Sequence, residues 1–348
     1  MNITFLIGNG FDLNLGLETT YSAFLKEYTK KYLEKDSYEL KNFKSDILAD
    51  KELWSDAERA FGEYTTKFSS ELGGEIFCDC HNDFCEGLAA YLINQESRID
   101  YTNSEIKLKD GFVKSLSRIN TGFREEQRQQ IEESMLNIGG GFRYNFIDFN
   151  YTYTLDKCIE LAKKSDLGKR LFKGSNYVNS IGDLYHVHGY VDKDMVLGVN
   201  DESQIGKIEI FSKLPSEYLA QIIKIKTNQM NEQHIDEKCH DLLKKSDLIY
   251  IYGMSTGDTD KLWWKRICEI MKNNKNLRVI IHKFDAPKDS LIRRKIVTYE
   301  NSTKKEFINY CNFDNNTKQD IAERIHIDRT NIFSRLENIV KERSLVSA

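Results

Sequence analysis

Long apolar runs, prolines and an excess of one charge are all scarce in this chain of 348 residues. No stretch approaches 18 consecutive apolar residues, so no membrane-spanning helix is predicted. The formal net charge is -4, which gives no general attraction to nucleic acid or to an anionic membrane surface. Only two prolines occur, and without a Pro-rich or Gly/Ser-rich linker the composition marks no domain boundary. The length allows one large domain or two ordinary ones.

The cysteines indicate a reducing compartment. There are seven, an odd number, and the N-terminal segment lacks the basic region of a signal peptide. We therefore expect free thiols and a cytoplasmic protein. The run Cys78-Asp79-Cys80-His81, with Cys85, contains zinc-ligand residue types, but strong zinc motifs have two separated pairs. No zinc site is predicted there.

Hydrophobic patterns predict an α/β fold. Apolar runs typical of strands cover residues 3–7, 144–149, 184–187, 195–199, 248–252 and 277–284. Helical patterns fill residues 20–134, 216–245 and 260–272. Strands that alternate with helices favour a parallel sheet, and the first helical block is then an insertion or cap on that sheet. Residues 320–336 faintly resemble a helix-turn-helix, but His326 stands where the turn glycine is usual, so a structural end of the fold is favoured.

The first strand ends in a glycine turn. Gly8-Asn9-Gly10 allows close backbone approach, and a following helix would direct N–H groups at a phosphate. Leu13 replaces the third glycine of the dinucleotide fingerprint, so a purely structural turn is an equal alternative. Asp12 could cap that helix, or bind a ribose hydroxyl or a substrate amide.

Three further polar turns follow predicted strands. Asn150 comes after residues 144–149 and could bind a polar ligand or water, or cap the next helix. His186 and His188 point the same way on a strand, but no further metal ligand is indicated nearby, so a metal pair is not favoured. One functional histidine before Gly189 is the alternative, although a histidine buried in the core is the more usual outcome. The turn at 253–258 offers backbone donors and hydroxyls for phosphate or ribose. Because ligands bind beyond the carboxyl ends of parallel strands, these four turns predict one crevice.

Several stretches together resemble the AbiH family, bacterial proteins of abortive infection against bacteriophage. They are IGNGFDLNLGLETTYSAF at 7–24, W-x-D-A-E at 54–58, DFNYTYTLD at 148–156, HVHG at 186–189 and IYGMSTGDTD at 251–260. The resemblance spans residues 1 to about 285. It implies a role in phage defence.

The same pieces are more distantly similar to the sirtuin-like fold, which binds NAD on a Rossmann-type sheet and cleaves its nicotinamide–ribose bond. The resemblance implies a Rossmann-like sirtuin-type core at 1–19 and 141–300, a helical insertion or lid at 20–140, and a C-terminal extension at 301–348 packed on the core. It implies catalytic roles for Asn150 and His188. The residues it implies for NAD binding are Gly8, Asn9, Gly10, Asp12, Thr152, Gly253, Ser255 and His282.

This sequence departs from the sirtuin pattern in ways that bear on function. Thr152 stands where an aspartate is usual, and His282 where an asparagine would contact the adenosine ribose. The zinc-binding cysteines of deacetylase sirtuins do not follow His188, which argues against protein deacylation. We therefore expect an enzyme that hydrolyses NAD, as substrate, to nicotinamide and ADP-ribose without a metal.

Two alternatives remain open at this point. Thr152 favours a sensor that binds NAD or ADP-ribose without turnover, whereas Asp258 and Asp260 are candidate metal ligands of a nuclease effector. For partners we expect NAD, a homo-oligomer or another defence protein, and an unknown phage trigger. Neither membrane binding nor nucleic-acid binding is expected.

Overall fold

A computed structural model describes residues 1–30, 36–136, 138–200, 202–230, 234–257, 260–286 and 293–340. Eight strands occur along this part of the chain: β1 (Asn2–Ile7), β2 (Arg143–Asp148), β3 (Lys169–Phe172), β4 (Ser175–Val178), β5 (Ser180–His186), β6 (Leu248–Tyr252), β7 (Arg278–His282) and β8 (Ile325–Asp328). Strands β3 and β4 form a separate antiparallel hairpin. The other six form one parallel sheet, which confirms the predicted α/β fold class with helical insertions.

The strand order of the sheet is β5-β2-β1-β6-β7-β8. In order of appearance along the chain this is 3-2-1-4-5-6, the order of doubly wound dinucleotide-binding sheets. From β1 the chain adds β2 and β5 on one side of the sheet. It then returns to the centre and adds β6, β7 and β8 on the other side. The switch point of the fold therefore lies between the ends of β1 and β6, where such sheets bind ligands.

Fifteen α-helices occur in the described residues. They are α1 (Gly10–Leu15), α2 (Tyr21–Tyr28), α3 (Tyr38–Ala49), α4 (Ala57–Tyr64), α5 (Glu71–Glu96), α6 (Tyr101–Leu116), α7 (Glu125–Leu136), α8 (Thr154–Lys163), α9 (Ile208–Phe211), α10 (Ser216–Ile222), α11 (Lys224–Met230), α12 (Ile235–Lys244), α13 (Lys261–Asn273), α14 (Arg293–Asn309) and α15 (Asn315–Glu323). None of these described helices is long and apolar enough to cross a lipid bilayer.

Helices cover both faces of the sheet. Side chains of α6, α7 and α8 pack on one face around Phe5 and Phe146, whose rings lie 5.3 Å apart. Helices α12 to α15 pack on the other face around Trp264 and Ile251. The central strands are buried on both sides, which explains why they read as continuous apolar runs.

The predicted helical insertion divides into two parts. Helices α6 and α7 belong to the core of the sheet, whereas α2 to α5 build a separate aromatic core around Trp54, Phe61 and Phe84. Residues 191–223 complete that second core.

Two predicted elements are wrong. Residues 195–199 form no strand, because Val196, Leu197 and Val199 bury their side chains beside the helices, and Val199 makes only an isolated bridge to Ile223. The single long helix over 216–245 is instead three helices, α10 to α12. An apolar run of five residues does not distinguish a strand from a buried connection.

The segment after residue 300 contributes directly to the sheet. Strand β8 pairs with β7 in parallel and forms its edge, with His326 inside the strand. The faint helix-turn-helix pattern therefore covers α15, this strand and the turn after it. Residues 341–348 of the predicted C-terminal extension lie outside the described residues.

Candidate functional site

The turns after β1 and β6 touch each other through their backbones. Gly10 donates its N–H to the carbonyl of Gly253 at 2.9 Å, and Gly8 donates to Tyr252 at 2.9 Å. A Cβ added to Gly10 would lie 2.4 Å from the Cα of Gly253, so the turns require glycine at both positions. Gly253 also has a φ of 70°, which disfavours any L side chain.

This contact changes the role expected for the glycine turn. The N–H groups of Gly8 and Gly10 are used inside the protein, and that of Phe11 donates to the carbonyl of Gly8. Helix α1 has only six residues. The backbone of Gly8 and Gly10 therefore fixes the switch point, and these two N–H groups are not available to a pyrophosphate. Asn9 lies between them, and its amide group is bonded to Thr19 at the start of the insertion.

Asn150 lies directly over the glycine turn. Its side-chain Nδ2 donates to the carbonyl of Gly8 at 3.2 Å. Its backbone N–H donates to the carboxylate of Asp148 at 3.0 Å, and its carbonyl lies 3.1 Å from Nδ1 of His186. Three contacts thus hold Asn150 in one orientation. It does not cap α8, which begins four residues later at Thr154.

His188 is buried and lines the same crevice. Its ring packs against those of Phe149 and Tyr151, with centroids 5.7 and 5.8 Å away. Its Nδ1 has no hydrogen-bond partner among the described residues. Burial, with the nearby charges of Lys224 and His186, lowers the pKa of His188 well below 6.5, so the ring is neutral at physiological pH.

Asp12 connects the first turn to the Asn turn. It is 1 % exposed, and its two oxygens accept hydrogen bonds from Thr152 at 2.8 Å and Thr154 at 2.5 Å. Thr152, which occupies the expected position of an aspartate, therefore holds a carboxylate that comes from helix α1. Burial raises the pKa of Asp12 to about 6, partly offset by the threonine hydrogen bonds.

The buried charge of Asp12 predicts a pH dependence of stability. Because the pKa is higher in the folded state than in the unfolded chain, the folded state binds the extra proton, and this group's contribution to stability falls as pH rises from about 4 to above 6. The Asp12→Asn variant removes that cost, which is about 3 kcal/mol at most. Its melting temperature relative to wild type should therefore increase between pH 4 and pH 8. The exposed Asp110→Asn variant is the control, and an equal pH trend in both variants would contradict the prediction.

A cavity of about 350 Å³ opens where the four turns meet. All the site residues predicted from the sequence line it except Gly10 and His282. The lining set is Gly8, Asn9, Asp12, Asn150, Thr152, His188, Gly253 and Ser255. Gly10 lies behind the surface against Gly253. His282 stacks on Tyr252 with ring centroids 4.6 Å apart, one strand farther along the sheet, and does not line this cavity, so its expected contact with the adenosine ribose stays a prediction.

The insertion, predicted as a possible lid, supplies the other wall of the cavity, and the residues of that wall were not predicted from the sequence. Its contribution includes the start of α2 at Tyr21 and the start of α4 at Asp56 and Glu58. Asp260, before α13, also lines the cavity, and burial raises the pKa of its carboxyl to about 7. Asp258, its partner in the predicted metal pair, lies outside the described residues.

Glu58 is buried beside a cation. Lys224 Nζ lies 2.6 Å from Oε2 of Glu58, and both side chains are at most one-tenth exposed. Burial raises the pKa of Glu58, and Lys224 opposes that shift. Among the described residues that line the cavity, none is a lysine or an arginine, whereas four are acidic: Asp12, Asp56, Glu58 and Asp260.

A second polar cluster supports Asn150 from behind. His186 Nε2 lies 2.9 Å from Asp156 and 3.8 Å from Asp148. The two carboxylates raise the pKa of His186 against its burial, and the lost solvation of Asp148 raises the pKa of that carboxyl to about 7. Within the described residues these three form the one group with metal-ligand geometry, so the expectation of no further ligand near His186 is wrong. His188 is not part of the group.

The cysteine-rich stretch at residues 78–85, where no zinc site was predicted, lies in helix α5 of the insertion. Cys78 and Cys80 are buried in α5, and His81 Nε2 lies 2.9 Å from the carbonyl of Leu197. Burial raises the pKa of Cys85 to about 12. These residues, all of them described, pack inside the insertion and do not form a ligand group.

The fold and site define an α/β protein with a doubly wound parallel sheet and a ligand cavity at its switch point, covered by a helical insertion. The chain belongs to the AbiH family, because the family model described as bacteriophage abortive infection AbiH matches residues 4–282. The match includes all four turns and the insertion. No curated protein sequence matches the chain significantly. The family assignment confirms the AbiH resemblance and associates the chain with abortive infection.

Proposed function

We propose that this protein acts in abortive infection by hydrolysing NAD to nicotinamide and ADP-ribose. One observation carries the proposal: an oriented Asn150 and a neutral His188, whose Nδ1 has no partner in the described residues, share one cavity at the switch point of a doubly wound sheet. That position suits a dinucleotide. The choice of reaction is based on the distant likeness of the four turns to sirtuin-like NAD-cleaving proteins.

The reaction needs little acid or base strength. The bond between C1′ of the ribose and the ring nitrogen of nicotinamide breaks, and its electron pair goes to that nitrogen, so a cationic ring leaves as neutral nicotinamide. The ribosyl cation that remains resembles the transition state of glycoside hydrolysis. A water oxygen then bonds to C1′ and releases one proton.

The two central residues have separate roles in this scheme. Asn150, fixed by Gly8, Asp148 and His186, presents its side-chain oxygen to the attacking water or to a ribose hydroxyl. His188 accepts a hydrogen bond from the water through a ring nitrogen. A base of low pKa suffices because the electrophile is already a cation.

The test is to incubate the purified protein with NAD and to measure free nicotinamide and ADP-ribose by chromatography. We expect both products in equal amounts. NAD binding without product release would support the sensor alternative, in which the hydrogen-bonded Asp12 and Thr152 serve only to bind. Absence of both binding and cleavage would refute the proposal.

Metal-dependent hydrolysis of a nucleic acid is the second candidate, favoured only by the group Asp148, Asp156 and His186. These side chains already bond to one another and to Asn150, which fits a structural support better than a metal centre. Adding a chelator distinguishes the candidates. We expect NAD cleavage to be unchanged by EDTA, whereas a nuclease would lose its activity.

A further inference from the structure

The acidic side chains of the cavity do not match the negative charge of the pyrophosphate in the proposed substrate, NAD. NAD carries an anionic pyrophosphate and a cationic nicotinamide ring. The lining contributed by the described residues includes four acidic side chains and no lysine or arginine. Lys224 offsets the charge of Glu58, and burial raises the pKa of Asp260 to about 7, but no side chain of the described lining offers phosphate a cationic partner, whereas carboxylates can accept a cation. The cavity is therefore suited to the nicotinamide–ribose end of the molecule.

Among the acidic residues that line the cavity, Glu58 is the one held in place by a buried ion pair, with Lys224. Burial of Glu58 and Lys224 costs solvation free energy for both side chains. The aromatic core of the insertion could be filled by apolar side chains instead, so packing alone does not explain the pair. Lys224 holds one carboxylate oxygen and does not itself line the cavity, while Glu58 does. The pair therefore presents a carboxylate in a fixed position to the space that His188 also faces.

The unpartnered His188 is an independent indication that this space receives a ligand. Its Nδ1 is buried without a hydrogen bond in the described part of the chain, a costly arrangement unless a ligand or water provides one. Glu58 comes from the insertion and His188 from the turn that follows strand β5 of the sheet. The insertion thus supplies part of the site in addition to covering it.

We propose that Glu58, held by Lys224, is the carboxylate that binds the cationic nicotinamide–ribose end of NAD and stabilises the ribosyl cation formed on cleavage. This inference rests on the proposed NAD hydrolysis for its catalytic part. Its binding part stands separately, because the cationic ring can be recognised without being released. The pyrophosphate then lies outside the acidic wall, toward the exposed Ser255.

The experiment compares NAD with NADH, whose nicotinamide ring is uncharged. Dissociation constants are measured by calorimetry for wild type and Glu58→Gln, which keeps the shape of the side chain and removes its charge. We expect wild type to bind NAD several-fold more tightly than NADH, and Glu58→Gln to bring the ratio close to one. Cleavage by Glu58→Gln should fall about 10²–10³-fold in kcat, the range for loss of one transition-state contact.

Two further variants control for folding. Glu63→Gln, on the same helix, removes an exposed carboxylate paired with Arg59 and should leave the binding ratio and the rate unchanged. Glu58→Gln leaves Lys224 buried without its partner, so the double variant Glu58→Gln/Lys224→Met provides a form with neither buried charge. It should show the same loss of discrimination.

The outcomes separate the two proposals. An unchanged NAD-to-NADH ratio in Glu58→Gln and in the double variant overturns the inference, whatever the cleavage assay shows. Wild type that discriminates through Glu58 but releases no nicotinamide overturns the proposed hydrolysis and supports the binding role. Wild type that binds neither dinucleotide overturns both.

Discussion

Replacing His188 with alanine should reduce NAD cleavage by about 10²–10⁴-fold, the usual effect of losing a proton-transfer group. The imidazole is buried in the lining of the cavity, and its Nδ1 has no hydrogen-bond partner in the described residues, which fits the proposed hydrogen bond to water or ribose. Because its pKa lies well below 6.5, the ring is neutral between pH 6.5 and pH 8. The loss caused by His188→Ala should therefore be the same at both pH values.

A matched control separates chemistry from packing. His326 is also buried, and burial lowers its pKa to about 3, but it lies on β8 at the edge of the sheet. His326→Ala loses an imidazole of similar burial and should cleave NAD at the wild-type rate once differences in folded fraction are removed. If both variants lose activity in parallel with stability, the role of His188 is structural.

The second large effect is expected from Gly253→Ala. The substitution places a methyl group 2.7 Å from the Cα of Gly10 and puts a non-glycine residue at a φ of 70°. The strained backbone costs about 1–2 kcal/mol. Overpacking adds about 1–3 kcal/mol and moves the two turns apart. We expect lower resistance to urea and loss of NAD binding.

Gly140 provides the comparison, since it has a φ of 84° and a methyl group added there would meet no atom of the described residues within 4 Å. Gly140→Ala should show only the backbone cost of about 1–2 kcal/mol and bind NAD normally. Equal destabilisation by the two substitutions would mean that the contact between the β1 and β6 turns contributes little.

The parts of the fold that the sequence predicted are those whose burial is uniform. Strands β1, β2, β6 and β7 lie inside the sheet and are almost wholly buried, so their side chains are mostly apolar on both faces, with Asn145 the main interruption in β2. Strand β8 was not predicted, because its four residues include His326 and Asp328, whose burial depends on distant partners such as Tyr250. Such partners leave no local pattern.

The site shows a similar division. The four turns were predicted to converge because the ends of parallel strands share one edge. Glu58 was missed because a glutamate in a helix is usually solvated, and its burial here depends on Lys224, far away in sequence. The stretch 54–58 was part of the AbiH resemblance and was the available signal. His282 was placed in the site by analogy and lies one strand away from the cavity, so its contact with the adenosine ribose stays a prediction.

The contact between Gly10 and Gly253 can form only after β6 and the turn that follows it have been synthesised. The first turn emerges from the ribosome early, but β6 and the carbonyl that receives the Gly10 N–H follow after most of the chain has been translated. Pairings of this sequence separation form slowly, since a long loop must close first. A nascent or truncated chain that ends before β6 therefore has no assembled cavity, because half of the contact that forms its floor has yet to be made.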